Sequence, residues 1–483
     1  MSRHKPHCCR KVELCAVLFF FSCSNPWIRS GPPSNRTETD TTRHTAPADT
    51  AAAVEDMDFA EALDSALSSR KLDDQSNGTA SIRMDTASDG GDMYAPQPFP
   101  VPTNRVRIAL IRNTGRAVVY SVGTVRLYSR GSRPTDPFRG RILFESRSKG
   151  GGITITAGRR SMEAVLPCTL RSDDEYNYLE IGDTTYRGSI IIAAGRAGTF
   201  TVVNFLAVEE YLRGVVPLEL GRRPREEIEA IKAQAVAART YTYRRIVERK
   251  SEPYDMVATV ADQVYGGVGV EYREADRAIA ATADLILTDG DSIILAYYHS
   301  TCGGSTADVH DVWGKPPRSY LRPVSDLDES GNAYCRGSAY FTWEESWPWK
   351  QFSGIVIASL QRIAPKDRFK GVVNSITVNE RFPCGRVKRA TITGSGWAYE
   401  CGGDQVRFIL RRGTGGYPLL RSANFTVTSP DRSTIRLKGR GYGHGVGMCQ
   451  MGAIGRAQAG QEFSTILRAY YTGVTIATAV VGR

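Results

Sequence analysis

A change of texture at Arg105 constrains this chain more than any other feature. From there Val106, Ile108 and Leu110 alternate with Arg105 and Arg107, so that one face of a strand is apolar and the other charged. Strand-like runs with Gly-rich turns continue to about Glu210, which demands a sheet with a buried face. Upstream, residues 24–104 are dominated by Ser, Thr, Asp, Ala and Pro with few aromatics, a composition that cannot bury a core. They read as a linker, with one short helical stretch over Val54–Leu67. Residues 105–483 read as a single folded domain.

The apolar period then switches. Ile228, Ile231, Ala235, Ala238 and Thr242 recur at helical spacing, with Pro224 near the start and Glu226 and Glu227 suited to the positive end of a helix. The stripe is rich in small residues, which lets neighbouring backbone approach closely. A second helix is predicted over Glu271–Ala283 and a strand through Ile293–Tyr298, followed by an Arg- and Trp-rich excursion to about Lys366. Strand-like segments resume from Val372 to Leu437, and a helix carrying Phe463, Ile466, Leu467 and Tyr470 is expected to close the chain. The class is α+β with strands in the majority, and no repeat of fixed period is present.

Charge is unevenly spread. Of a net +11, residues 1–30 hold +4 and residues 31–94 hold −8, which leaves +15 on residues 95–483. A body this basic suits an anionic partner. Residues 1–23 read as an export signal: Arg3, Lys5, Arg10 and Lys11 precede the apolar run Leu14–Phe21, which is too short to span a bilayer. The run ends in Phe-Phe-Ser-Cys at 20–23, like a lipoprotein box that is cleaved before Cys23 and acylated on it, although Phe20 departs from the usual Leu or Val. Simple signal cleavage and an uncleaved anchor are the alternatives. The chain is thus expected to be exported, to the periplasm or cell envelope, with a membrane anchor if Cys23 carries lipid. Six cysteines follow Cys23, an even number that permits disulfides in an exported protein, and Cys384 with Cys401 could staple a hairpin.

Three stretches carry the chemistry: NFLAVEEYLRGVVPLEL (204–220) running into EEIEAIKAQAVAARTYTY (226–243), YYHSTCGGSTADVHDVW (297–313), and GRGYGHGVGMCQMGAIGRAQAG (439–460) with ILRAYYTG (466–473). Together and in this order they closely resemble the SpoIID/LytB family of sporulation stage II protein D and amidase-enhancer proteins, most strongly over residues 186–313 and 436–475. The resemblance implies a SpoIID-like fold with a catalytic helix region and a C-terminal helix. It also implies a lytic transglycosylase that cuts peptidoglycan glycan strands at N-acetylmuramic acid and leaves anhydro-sugar ends. The alternative it implies is a non-catalytic wall-binding protein that enhances an amidase, so an amidase is a candidate partner. The glutamate of the family's VVPxE stretch falls on Glu219, which makes Glu219 the catalytic acid by resemblance.

Read from its own surroundings, Glu219 is a plausible single acid. Ordinary glycosidases need two carboxylates. A transglycosylase can use one, which first protonates the glycosidic oxygen and then takes the proton of the sugar's own 6-hydroxyl as that oxygen closes on C1. To donate near neutral pH the carboxyl must rise above about 4.3, and Val215, Val216, Pro217 and Leu218 could raise it by excluding water. Without the resemblance, a Glu at a strand end would be read as a surface or capping residue.

The glycine-rich segment 439–447 lacks the Lys-Ser/Thr of a P-loop and the βαβ surroundings of a dinucleotide site, which excludes nucleotide binding. By resemblance it lines the glycan groove, with Arg440, Tyr442, His444 and Gln450 as substrate-binding candidates; His444 and Gln450 would serve equally well to lock the loop to its scaffold. No nucleic-acid recognition module is present, and an export signal argues against such a partner. No cofactor is required by this chemistry. A structural zinc is the one candidate, with His299, Cys302 and His310 as ligands and Cys335 within reach. The spacing of His299 and His310 resembles that of zinc-holding relatives, whose cysteines, however, would fall on Ser305 and Asp311. A Cys302–Cys335 disulfide is the competing reading.

Overall fold

The computed structural model describes residues 96–482, apart from 130–132, 148–151, 175, 366, 413–418 and 432. The export signal, Cys23, the Val54–Leu67 stretch and most of the expected linker lie outside the described residues. The architecture is α+β. The alternation at Arg105 forms the strand Arg105–Thr114, in which Val106 and Ile108 are fully buried. This strand pairs antiparallel with Phe200–Ala207 and parallel with Met256–Val257, at one end of an eleven-stranded sheet that holds the β-rich first half.

Eight α-helices follow among the described residues: α1 (Val208–Glu219), α2 (Ile228–Glu248), α3 (Arg273–Ala281), α4 (Val309–Trp313), α5 (Trp349–Ile363), α6 (Gln405–Ile409), α7 (Gln450–Gln458) and α8 (Phe463–Tyr470). The expected helix from Ile228 is α2, and a short 3-10 turn at Arg225–Glu227 leads into it. It is buried on nearly every side rather than along one stripe: Ala230, Ala233, Ala235, Val236, Ala237 and Ala238 are all inaccessible. Small side chains let α1, α3, α7, α8 and the strand Leu285–Asp289 all close on it. Each fully buried Ile or Val on such a helix contributes about 1.5–3 kcal/mol relative to exposure.

Three expectations about organisation need correction. The fold reaches upstream of residue 105: Pro98–Val101 is a strand paired in parallel with Thr475–Val481, so this end of the presumed linker belongs to the sheet. The helix α8 is followed by that same strand Thr475–Val481, which lies between Pro98–Val101 and Leu285–Asp289. Residues 105–483 are also not built around one core. Residues 342–440 have their own, in which Phe352, Val356 and Leu360 of α5 meet Ile392, Ile435 and Leu437 from two three-stranded sheets. The Arg- and Trp-rich excursion thus holds a strand, Thr342–Pro348, and α5. In one of these sheets Val387–Gly394 and Trp397–Cys401 form the expected hairpin, but the register sets Cys401 opposite Ala390 and leaves Cys384 before the first strand, so this pair does not staple it.

The inserted unit is fastened to the larger one by directed bonds. Trp343 Nε1 donates to the Gly441 carbonyl at 2.9 Å, and the buried Arg386 guanidinium donates to the carbonyls of Ser305 and Cys302 at 3.2 Å each. Both contacts fall on the second and third chemistry-bearing stretches. The insertion therefore buttresses the same loops that approach Glu219.

Candidate functional site

The site starts from α1. Glu209 and Glu210 occupy its first turn, where the helix dipole favours acidic side chains, and Glu210 accepts a hydrogen bond from the Ala207 amide at 3.2 Å. Pro217 removes an internal hydrogen bond from the last turn, and the helix stops two residues later. Gly221, with φ +79°, then takes the left-handed conformation that ends many helices. Glu219 therefore stands at the C-terminal end of a helix and not at a strand end. There the helix dipole disfavours a negative charge.

The carboxyl of Glu219 is set by its surroundings in the expected direction. Burial raises it from 4.5 to about 7, against the opposing pull of the Val264 amide, the Tyr298 hydroxyl and the Gln450 side chain. Val215, Val216 and Pro217 are indeed buried. The Val264 amide donates to Glu219 Oε1 at 2.8 Å, so the carboxyl is aimed. None of these groups is a carboxylate. Asp262, two residues before Val264, is engaged by Arg249 at 2.8 Å, Arg245 at 3.3 Å, the Tyr241 hydroxyl at 3.1 Å and the Val257 amide at 3.0 Å. Glu219 is thus a lone, partly exposed acid poised to hold or release a proton near neutrality.

The second and third stretches converge on it. Tyr298–His299 and Met448–Cys449 pair as short parallel strands, and Gln450 begins α7 immediately afterwards. Gln450 Nε2 donates to the Glu219 backbone carbonyl at 2.9 Å and approaches Gln234 Oε1 at 3.4 Å. Gln450 therefore holds the turn at Glu219 in place. His444 is held by its own loop: its Nδ1 accepts from the Val446 amide at 3.1 Å, the Tyr298 backbone engages the ring, and burial lowers its pKa to about 4. It is neutral at pH 7. Its ring packs with Trp313 and Tyr297 in a partly exposed aromatic group, over which Lys315 lies 5.2 and 5.5 Å from the indole and phenol centroids.

The other candidates go elsewhere. Tyr442 bonds Thr301 through both backbone groups, and its ring packs on Tyr340. Arg440 is exposed, with its guanidinium over Phe341 at 5.2 Å. The metal set is not assembled. His299 is buried, with Nδ1 on the Val446 carbonyl, while His310 is exposed and bonds the Lys315 carbonyl at 3.0 Å. Cys302 points to Cys335, Asp326 and Cys449. The structure therefore does not bring His299, Cys302 and His310 together around one point. Reading the sequence missed Tyr298, Gln234 and the Val264 amide; only Gln234, a polar residue amid the small residues of α2, left a signal.

Comparison with known proteins places the chain in a family. Stage II sporulation protein D of Bacillus amyloliquefaciens is 30% identical over 313 residues, covering 61% of this chain and 81% of that protein. A family model described as stage II sporulation protein matches residues 196–288. The chain belongs to the SpoIID/LytB family. The amidase enhancer of Bacillus subtilis is 29% identical over 301 residues, which cover 55% of this chain and 40% of the enhancer. An uncharacterized protein of Brachyspira hyodysenteriae is 30% identical over 293 residues, 58% of this chain and 68% of its own. Residues 327–447 match a domain family of unknown function, which brackets the inserted unit with its separate core.

Proposed function

We propose that this SpoIID/LytB-family protein is an exported peptidoglycan lytic transglycosylase with Glu219 as its acid and base. The observation that carries this reading is a single carboxyl, raised to about 7, aimed by an amide and without a second carboxylate among the groups that govern it. In this reading the protonated Glu219 gives its proton to the oxygen that leaves C1 of N-acetylmuramic acid. The resulting carboxylate accepts the proton of the 6-hydroxyl as its oxygen bonds to C1, so no water enters the product. The aromatic group of Tyr297, Trp313 and His444 beside Tyr298 supplies a surface for the sugar faces, and Lys315 a cation for muramyl carboxylates. Gln450 and His444 act as positioning groups in this scheme.

The amidase-enhancer relative favours a second reading, in which the protein binds the wall and stimulates an amidase without cutting glycan. That reading leaves the raised carboxyl of Glu219 unused. Digestion of purified glycan strands, followed by mass analysis of the products, separates the two. Anhydro-muramic ends are expected; hydrated reducing ends mean a hydrolase, and intact strands with retained binding mean an enhancer.

A further inference from the structure

Three cysteines far apart in sequence meet on one carboxylate beneath the Gln450 loop. The sulfurs of Cys302, Cys335 and Cys449 and a carboxylate oxygen of Asp326 all lie within 4.8 Å of one another, and all four residues are buried. Cys302 Sγ stands 3.5 Å from Cys335 Sγ and 3.2 Å from Asp326 Oδ2. Backbone amides point at the sulfurs: Gly304 donates to Cys302 at 3.3 Å, while Cys302 and Gly452 donate to Cys449 at 3.1 and 3.2 Å. Asp326 is completely inaccessible, and its other oxygen is held by the Tyr470 hydroxyl at 2.8 Å and Arg456 Nε at 3.1 Å. At Gly452 any side chain would collide with Asp326 Oδ2 and the Tyr470 hydroxyl, so glycine is what lets α7 approach the cluster.

We propose that Cys302, Cys335, Cys449 and Asp326 bind one structural zinc ion. The donor count and type decide the chemistry. Four converging donors match the tetrahedral preference of zinc, and soft sulfur ligands exclude magnesium and calcium. Ligands about 2.0–2.3 Å from a central zinc stand roughly 3.3–3.8 Å apart, close to the two separations above. A disulfide would use only two of the three sulfurs and leave a buried thiol and a buried carboxylate against it. Zinc uses all four, and the Tyr470 and Arg456 bonds to Asp326 then orient a ligand from behind. The ion ties the loop at Cys302, the turn that opens the insertion at Cys335, and the start of α7. Its loss loosens Gln450, one residue from Cys449, and hence the carbonyl of Glu219.

The test is metal content in the full-length protein purified without added metal. About one zinc per chain is expected, released when a mercurial titrates the cluster's thiols. Cys302→Ser, Cys335→Ser and Cys449→Ser should each lose the ion, and Asp326→Asn should weaken its retention against a chelator. Cys384→Ser, outside the cluster, should keep it. Release by the mercurial is read on the wild type, so a variant that fails to fold does not blunt the test. A peptide linking two of the three cysteines, three free thiols with no metal, or zinc retained in Cys449→Ser each overturns the assignment.

Discussion

Two carboxylates on one loop system have opposite fates. Asp262, almost inaccessible, lies between Arg245 and Arg249 with a phenol and an amide completing its partners. Glu219, contacted by the same loop through Val264, has an amide, a hydroxyl and a side-chain amide but no cation, and burial raises it to about 7. A carboxylate flanked by two guanidiniums is tied into ion pairs and serves to hold structure. One left with neutral donors keeps a proton to give.

The sharpest way to break this contrast is Glu219→Gln, which keeps the shape and loses the proton. Cleavage of glycan strands should fall by about 10²–10⁴, with binding retained. An unchanged rate of product release would remove Glu219 from the chemistry. Asp262→Asn should do the reverse: leaving Arg245 and Arg249 without their carboxylate costs about 3 kcal/mol in denaturant unfolding, with the acid itself untouched.

The same contrast predicts how stability follows pH. A carboxyl raised from 4.5 to about 7 holds its proton more tightly folded than unfolded, so its presence favours folding most below 4.5, progressively less up to 7, and least above 7. Glu219→Gln should therefore stabilise the protein by about 1–3 kcal/mol at pH 8 and by nothing at pH 4. Denaturant midpoints at the two values measure this, and equal midpoints shifts would mean that Glu219 is not desolvated. The cleavage rate of the wild type should likewise decline above pH 7 as the acid form is depleted. The smallest effect is expected from Tyr298→Phe, which removes a nearby hydroxyl whose pull favours the carboxylate and should move that alkaline limb upward by up to about one pH unit. A limb that stays in place or moves down would exclude Tyr298 from the ionisation of Glu219.

Much of this arrangement was legible along the chain, and the failures share a cause. Local periodicity was enough for the strand at Arg105 and for α2, because each repeats its pattern over many residues. Glu219 was found through the VVPLEL stretch, yet its helix was not: Val215, Val216 and Pro217 are poor helix formers, and tertiary burial overrides that preference. The cluster of Cys302, Asp326, Cys335 and Cys449 was not legible, because these residues are far apart in sequence and meet only through tertiary contacts such as the pairing of Tyr298–His299 with Met448–Cys449, whereas His299 and His310 are close in sequence. Likewise, α5 lacks acidic residues in its first turn, and its apolar face was hidden among tryptophans.

The placement of Thr475–Val481 between Pro98–Val101 and Leu285–Asp289 has a consequence for how the molecule is made. A ribosome delivers Pro98–Val101 and Leu285–Asp289 long before the strand that must separate them. No portion of the chain that stops short of Thr475 can complete this sheet, so its two outer partners wait, through most of synthesis, for the strand that joins them.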